Sequence, residues 1–411
     1  MPDDYDLYVG VDWATQKHQV CVLGPNGERV AEQVVPHTGA GLVALVNWLR
    51  QRVSDPARIA VAIEVPHGAV VDILLEQGCH VFAINPKQLD RFRDRHTVAG
   101  AKDDRRDAFV GADALRTDRG AFRRLHVEDP AIIQVRELSR LHGELVQEHG
   151  RLTNRLREQL WRFYPQLLTL SSAADEPWLW ALLEQAPTPA QGRRLTPAAV
   201  RALLARHRIR RLSADAVHAA LQEPALPVAA GSVEAASAHV ELLLPRLQLV
   251  HAQRRQCEHR LEQLLTRLAA PSGGPEQREH RDVTILRSSP GLGRIAAATM
   301  LAEAPQPLAA RDYQTLRAQA GAAPITRQSG KSRCVSMRRS CNSRLRTAVF
   351  HWARNAIRLD PHSRAHYDRL RQRHGHARAL RGVADRLLNI LIRMLATGTL
   401  YDATRRRPIA A

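Results

Sequence analysis

Aromatic residues make up only 4 % of this 411-residue chain, too few for a platform on which successive single-stranded bases stack. The five cysteines, Cys21, Cys79, Cys257, Cys334 and Cys341, are scattered, with no CxxC pair among them. That spacing excludes a disulfide framework and a zinc site and suits a reducing compartment. No apolar run reaches the ~18 residues that a membrane span needs. The opening MPDDYDLYVG is acidic and enters a strand directly, unlike a secretory leader. A soluble cytoplasmic protein is expected. There is no internal repeat, and no GxGxxG follows the first strand, which weakens a dinucleotide-binding reading. Acid is also in short supply: 60 Lys+Arg face 41 Asp+Glu, a formal charge of +19. Such an excess repels itself unless a polyanion is the partner, and a phosphate backbone is the usual one.

The length predicts two or three domains. Residues 6–125 read as α/β. DLYVGVD (6–12), HQVCVL (18–23) and Arg29–Val35 are short β-branched runs separated by turn residues. Leu42–Val53 has helical spacing, and RIAVAIEV (58–65) is the near-continuous apolar run of a central strand covered on both faces. A helix over 68–77, a strand His80–Ile84 and helices over 86–95 and 104–119 follow. Three hairpin-type strands, then strands alternating with helices, fit a ribonuclease-H-like sheet. From Pro130 apolar residues recur at threes and fours, and again over 233–269, predicting two long amphipathic helices. A helical hairpin within one chain and a dimerisation stalk are both compatible with that pattern. Between them Arg193–Leu221 is rich in Arg and poor in acid. PSGGPEQRE (271–279) reads as a linker, and a compact helical domain is expected beyond it.

Asp12 closes the first strand and Glu64 the central one, and AKDDRRDA (101–108) offers Asp103, Asp104 and Asp107 at a helix start. A carboxylate at the end of a buried strand is unfavourable unless paired or bound to a cation. Several converging at one sheet edge would repel one another, and divalent ions relieve that repulsion while creating a site for phosphoryl transfer. Singly, each acid is equally explained as a turn residue, a surface residue or a helix-terminal charge.

Near the other end, SPGLGRIAAATMLAE resembles a helix-hairpin-helix turn. Gly291 and Gly293 would let the backbone approach a phosphate at the positive end of the following helix. The most basic stretch lies beyond, with Ser329 beside Gly330 and flanked by Arg327, Lys331, Arg333, Arg338, Arg339, Arg344 and Arg346. Clustered guanidinium groups can hold a phosphate and offset charge developing on it. A serine in such a loop can equally be a mere phosphate hydrogen-bond donor.

VGVDWATQKH, AIEVPHGA and AKDDRRDA together resemble the DEDD transposases of the insertion-sequence one-hundred-ten family and the related Piv invertase. The family motif Lys-Thr-Asp-x-x-Asp-Ala aligns without a gap on Lys102–Ala108, with Asp103 standing where Thr is usual. The Ser329–Gly330 stretch is similar to the same family's second signature. The resemblance implies a RuvC-like domain over 1–125, a helical coiled-coil arm with an inserted segment over 126–275, and an all-helical transposase domain over 276–411. It implies Mg²⁺ held by Asp12, Glu64, Asp104 and Asp107, and Ser329 as the nucleophile that forms a phosphoserine link to DNA. It further implies double-stranded DNA as donor and target, a non-coding bridge RNA as guide, a homodimer or homotetramer, and association with a bacterial nucleoid. The rival expectations are a RuvC-like nuclease that uses water instead of serine, a non-catalytic nucleic-acid-binding protein, and a sugar-kinase or actin-like ATPase, which the charge suits poorly.

Overall fold

The computed structural model describes residues 5–96, 103–127, 129–270, 278–330 and 332–405. Of the residues singled out above, Lys102, Lys331 and residues 271–277 of the expected linker lie outside that set. Contacts divide the chain into two compact units, Met1–Asp129 and Pro130–Ala411.

The first unit runs β1 (Leu7–Asp12), β2 (Lys17–Leu23), β3 (Arg29–Pro36), α1 (Gly39–Arg50), β4 (Ile59–Ile63), α2 (Ala69–Glu76), β5 (His80–Ala83), α3 (Pro86–Asp94), α4 (Asp104–Asp118) and β6 (Arg123–Arg124). The sheet order is β3-β2-β1-β4-β5-β6. β1, β4 and β5 are parallel, while β2 runs antiparallel to β1 and β3, and β6 antiparallel to β5. The two-residue β6 is too short to carry a periodicity and is an addition to the expected strands. α1 begins three residues earlier than the apolar spacing suggests, because Thr38 caps it and accepts from the Gly41 N–H at 3.1 Å.

The two sheet faces differ in residue size, and that difference positions the acids. Val9, Val11, Ile59, Val61 and Ile63 pack with Leu42, Leu45 and Leu49 of α1 and Leu74 of α2. Each such buried aliphatic side chain stabilises by about 1.5–3 kcal/mol. The alternate positions are small: Gly10, Ala60 and Ala62. Ala60 and Ala62 share a core with Val110, Ala114 and Leu115 of α4. A Cβ on Gly10 would lie 1.8 Å from the Ala108 carbonyl oxygen and 2.7 Å from the Ala112 nitrogen. Only a residue without a side chain admits the helix there, so α4 lies backbone to backbone on β1.

The second unit is helical: α5 (Pro130–Phe163), α6 (Gln166–Leu170), α7 (Pro177–Gln185), α8 (Pro189–Gly192), α9 (Pro197–Arg206), α10 (Ala214–Gln222), α11 (Ser232–Ala269), α12 (Arg278–Ser288), α13 (Arg294–Glu303), α14 (Pro305–Ala309), α15 (Tyr313–Gln319), then after a hairpin α16 (Ser343–Leu359), α17 (Pro361–Arg371) and α18 (His376–Thr397). α5 and α11 lie antiparallel within one chain: Cys257 Sγ donates to the Leu138 carbonyl at 3.2 Å, and the His149 and His251 rings are 5.8 Å apart. Of the two packings left open by the pattern, the intrachain one is present.

The expectation of an all-helical segment beyond residue 276 needs correction at one place. Ile325–Ser329 and Ser332–Ser336 form an antiparallel hairpin, β7 and β8. Pro324 bars helical continuation, Thr326 and Val335 are β-branched, and Gly330 takes φ 53° at the turn. Among the described residues no helix is long and apolar enough to cross a membrane.

Candidate active site

Asp12 is the last residue of β1, and Val11 pairs with Ile63 of the parallel neighbour β4. Glu64, the residue after β4, therefore stands beside Asp12 at the strand spacing of roughly 5 Å. Both lie at even positions, on the α4 face with Gly10 and Ala62. α4 carries Asp107 to the same place, since Asp107 precedes the Ala108 that rests on Gly10. Asp12, Glu64 and Asp107 line one cleft with Ile84, Leu89 and Gly111. Asp107 is 4 % exposed. Asp104 sits one turn earlier, exposed in the first turn of α4, and does not line the cleft. Asp103 serves as the N-cap of α4, where its side chain accepts from the Arg105 N–H at 3.3 Å.

Two arginines that carry no signal in the sequence fix this arrangement. Arg93 of α3 donates through Nε to Asp107 Oδ1 at 2.7 Å and through Nη1 to Asp90 Oδ1 at 2.9 Å. Burial works against the charge on Arg93, but the Asp107 and Asp90 contacts outweigh it and raise its pKa. Arg105 donates bidentately to Glu32 of β3 at 2.6 and 2.8 Å, tying the start of α4 to the sheet edge. Gln19 also donates to Glu32, at 2.8 Å. The Arg105 hydrogen bond is the main reason that the Glu32 carboxyl titrates below its usual range.

Carboxylate oxygens are the hard donors that Mg²⁺ takes, and the cleft holds about 10 Å³, the room of one water-sized sphere. The donors fit the ion in kind. In spacing they are looser: among the described residues no three acidic, His or Cys groups are gathered tightly enough to hold a metal. The place against Asp107 is held by Arg93.

In the second unit Ser329 is exposed at the end of β7, directly opposite Ser332 across the turn. Strand alternation puts Arg327, two residues earlier, on the same face as Ser329. Arg333 pairs with Gln328 and belongs to the opposite face. Arg338 and Arg339 lie in the connection after β8, while Arg344 and Arg346 lie in the first turn of α16, where Arg346 contacts Cys341 Sγ at 3.6 Å. The hairpin thus brings Arg327 to the serine and sends Arg333 away from it.

Glu303, the last residue of α13, anchors the far side of this region, and nothing in the sequence singles it out. It accepts from Arg140 Nε of α5 at 3.0 Å and from Nδ2 of Asn342, the N-cap of α16, at 2.8 Å. Burial raises its pKa, but these donors and nearby positive charge more than offset that and leave it below the usual value. The Gly-rich turn is also built differently from expectation. Gly291 has φ 76°, and a Cβ there would lie 2.6 Å from the Ala356 nitrogen, so its bareness serves the packing of the turn on α16. Trp352 Nε1 donates to the Pro290 carbonyl at 3.0 Å in the same contact. Gly293 is exposed, caps α13 without a side-chain bond and has open space around it.

An acid-edged sheet, a helical body and a formal charge of +19 suit a protein that handles nucleic acid. Residues 9–165 match the model of the DEDD transposases of IS110, and residues 283–368 match the transposase family of IS116, IS110 and IS902. The y4uE protein of Sinorhizobium fredii, which carries a transposase name, is 43 % identical over 69 % of this chain and 76 % of its own. A Streptomyces coelicolor mini-circle protein, also named as a transposase, for IS117, is 32 % identical over 98 % of this chain and 97 % of its own. A 43.6 kDa protein of insertion element IS110 from the same species is 29 % identical over 98 % and 96 %. The chain belongs to the IS110 family of insertion-sequence transposases.

Proposed function

We propose that this transposase cuts and rejoins the DNA of its insertion sequence through a covalent phosphoserine link at Ser329, assisted by Mg²⁺ at Asp12, Glu64 and Asp107, with Asp104, exposed one turn earlier on α4, as the fourth carboxylate. The observation that carries the reading is the convergence of Asp12, Glu64 and Asp107, from three separate elements, on one small cleft. The strand order β3-β2-β1-β4-β5 with β2 reversed supports a RuvC-like domain over residues 1–125. The remainder divides into a helical arm, 126–275, and a transposase domain, 276–411.

In the reaction the Ser329 Oγ–P bond forms as one P–O bond to deoxyribose breaks, and the hydroxyl proton ends on the departing alkoxide. One phosphoester replaces another, so the reverse attack by a strand end rejoins the DNA without an added energy source. Arg327, on the serine face, holds the phosphate and offsets charge on its free oxygens. When bound, Mg²⁺ supplies Lewis-acid polarisation of the phosphate and removes repulsion among the carboxylates. The open N-terminus of α13 after Gly293, with Arg338, Arg339, Arg344 and Arg346, contacts backbone phosphates. The formal charge of +19 suits a second polyanion, the non-coding guide RNA, and a homodimer or homotetramer holding donor and target together.

The test is denaturing electrophoresis of wild-type, Ser329→Ala and Asp12→Ala protein incubated with labelled donor DNA and co-expressed RNA. A protein-linked strand in the wild type and in neither variant is expected. An adduct surviving in Ser329→Ala overturns the serine assignment. Cleavage without any adduct in that variant points to a nuclease that uses water.

A further inference from the structure

A roomy, open pocket of the second unit is remote in sequence from Ser329 and unused by the reaction above. It holds about 300 Å³ among α7, the C-terminal end of α9 and α11. Its floor is Trp180, 1 % exposed, whose indole is fixed by Nε1 donating to the Ala174 carbonyl at 2.9 Å. His251 forms a wall, its ring 5.2 Å from that of Trp180. Glu184, Gln185 and Gln248 add polar groups, with Gln248 Nε2 donating to Glu184 Oε1 at 2.7 Å. Arg206 is exposed at the mouth.

Polar atoms here are left over. His251 Nδ1 and, behind it, His149 Nε2 are buried without a hydrogen-bond partner, and burial is the first cause that lowers both imidazole pKa values. Neutral imidazoles are poor phosphate ligands but can donate to and accept from a heterocycle. Buried polar atoms without partners are uncommon, and here two of them lie at and behind the pocket wall.

The surroundings say what kind of molecule that is. Arg194, Arg201, Arg206, Arg208 and Arg210 are all exposed, and none has a carboxylate partner among the described residues. Arg208 even occupies the left-handed region, φ 55°, at the close of α9, where glycine would be relaxed. Arg206 in the pocket lining, the unpaired Arg208 and Arg210 that follow it in sequence, an aromatic floor and an amide-and-carboxylate lining match a polynucleotide: phosphates outside, one base inside. The carboxylate and amides offer acceptors and donors for the edge of a base, and the volume is ample for one.

We propose that this pocket captures a single unpaired nucleotide of a strand whose phosphates run across Arg206, Arg208 and Arg210. The site is independent of Ser329 and the acidic cleft, and its test does not use cleavage.

The experiment is ultraviolet cross-linking of the full-length protein to mixed-sequence ten-nucleotide single strands carrying 4-thiouridine or 4-thiothymidine, with adducts mapped by peptide mass spectrometry. Adducts within residues 177–185, 206–210 or 248–251 are expected, absent when the same label is locked in a perfect duplex. Labelling by the ribose probe alone identifies the strand as RNA, by the deoxyribose probe alone as DNA, and by both as either. Ala181→Phe, which fills the cavity, and the milder Gln248→Ala should cut the yield at least five-fold. Arg206→Ala with Arg208→Ala should weaken single-strand binding about ten-fold in fluorescence anisotropy. Adducts found only elsewhere, equal labelling from the duplex, or wild-type yield in both pocket variants overturns the proposal.

Discussion

Arg93 Nε lies 2.7 Å from Asp107 Oδ1, joining helices α3 and α4 at a carboxylate that lines the acidic cleft. The guanidinium is 17 % exposed and the carboxylate 3 %, so the pair is poorly screened by water. It gives Asp107 a counter-charge in the absence of metal, and it competes with a cation for the same oxygen. Arg93→Gln should therefore bind Mn²⁺ several-fold more tightly by isothermal titration while losing about 1–3 kcal/mol of metal-free stability. Unchanged Mn²⁺ affinity would show that the two do not compete.

Gly10→Ala tests how α4 is positioned. The added methyl would lie 1.8 Å from the Ala108 carbonyl oxygen, a backbone atom that cannot rotate aside. Overpacking of this kind typically costs about 1–3 kcal/mol. Urea unfolding should show that loss, and adduct formation should fall with it because Asp107 moves with the helix. A Gly10→Ala protein as stable as wild type would contradict the close approach.

Ser329 and Ser332 face each other across the hairpin turn, which makes one a control for the other. Both are exposed, so alanine at either should change stability by less than about 0.5 kcal/mol. Only Ser329→Ala should abolish the protein–DNA link on a denaturing gel. Loss of the link in Ser332→Ala instead would reassign the nucleophile.

Alternation along β7 separates two arginines that sequence alone treats alike. Arg327→Ala should slow adduct formation about 100-fold, since oxyanion-type contacts carry effects of that order. Arg333→Ala, on the other face, should slow it less than about ten-fold. Equal effects in a single-turnover assay would mean that strand face does not decide which guanidinium meets the phosphate.

Glu303 contributes to the loss of stability in acid. Its carboxyl titrates below the ordinary value in the folded chain, so its contribution is complete above the unfolded pKa and disappears as pH falls through the folded one. Glu303→Gln should cost about 1–3 kcal/mol at pH 7. The gap between variant and wild type should close once the pH is below the folded pKa. Guanidinium titrations at stepped pH check this, and a gap that stays constant into acid would exclude the charged role.

Much of the layout was legible in the residues. β4 reads as an unbroken apolar run because both its faces are covered, and α5 and α11 reveal themselves by apolar residues at threes and fours. Asp12 and Glu64 could be set at strand ends because the apolar runs stop there. The hairpin at 325–336 was not legible, since nine of its ten strand residues are exposed and most are polar. Without a buried face there is no period to detect.

Local order along the chain determined which stretches are strands and helices, which acids fall at their ends, and that Ser329 stands in basic surroundings. Packing alone decided the rest: Asp107 enters the cleft, Arg93 seizes that carboxylate, Gly291 makes room for α16, and Glu303 ties three helices. The division has a physical cause. Periodicity is a property of neighbours in sequence, whereas an ion pair or a close backbone approach depends on which distant surfaces small residues allow to touch.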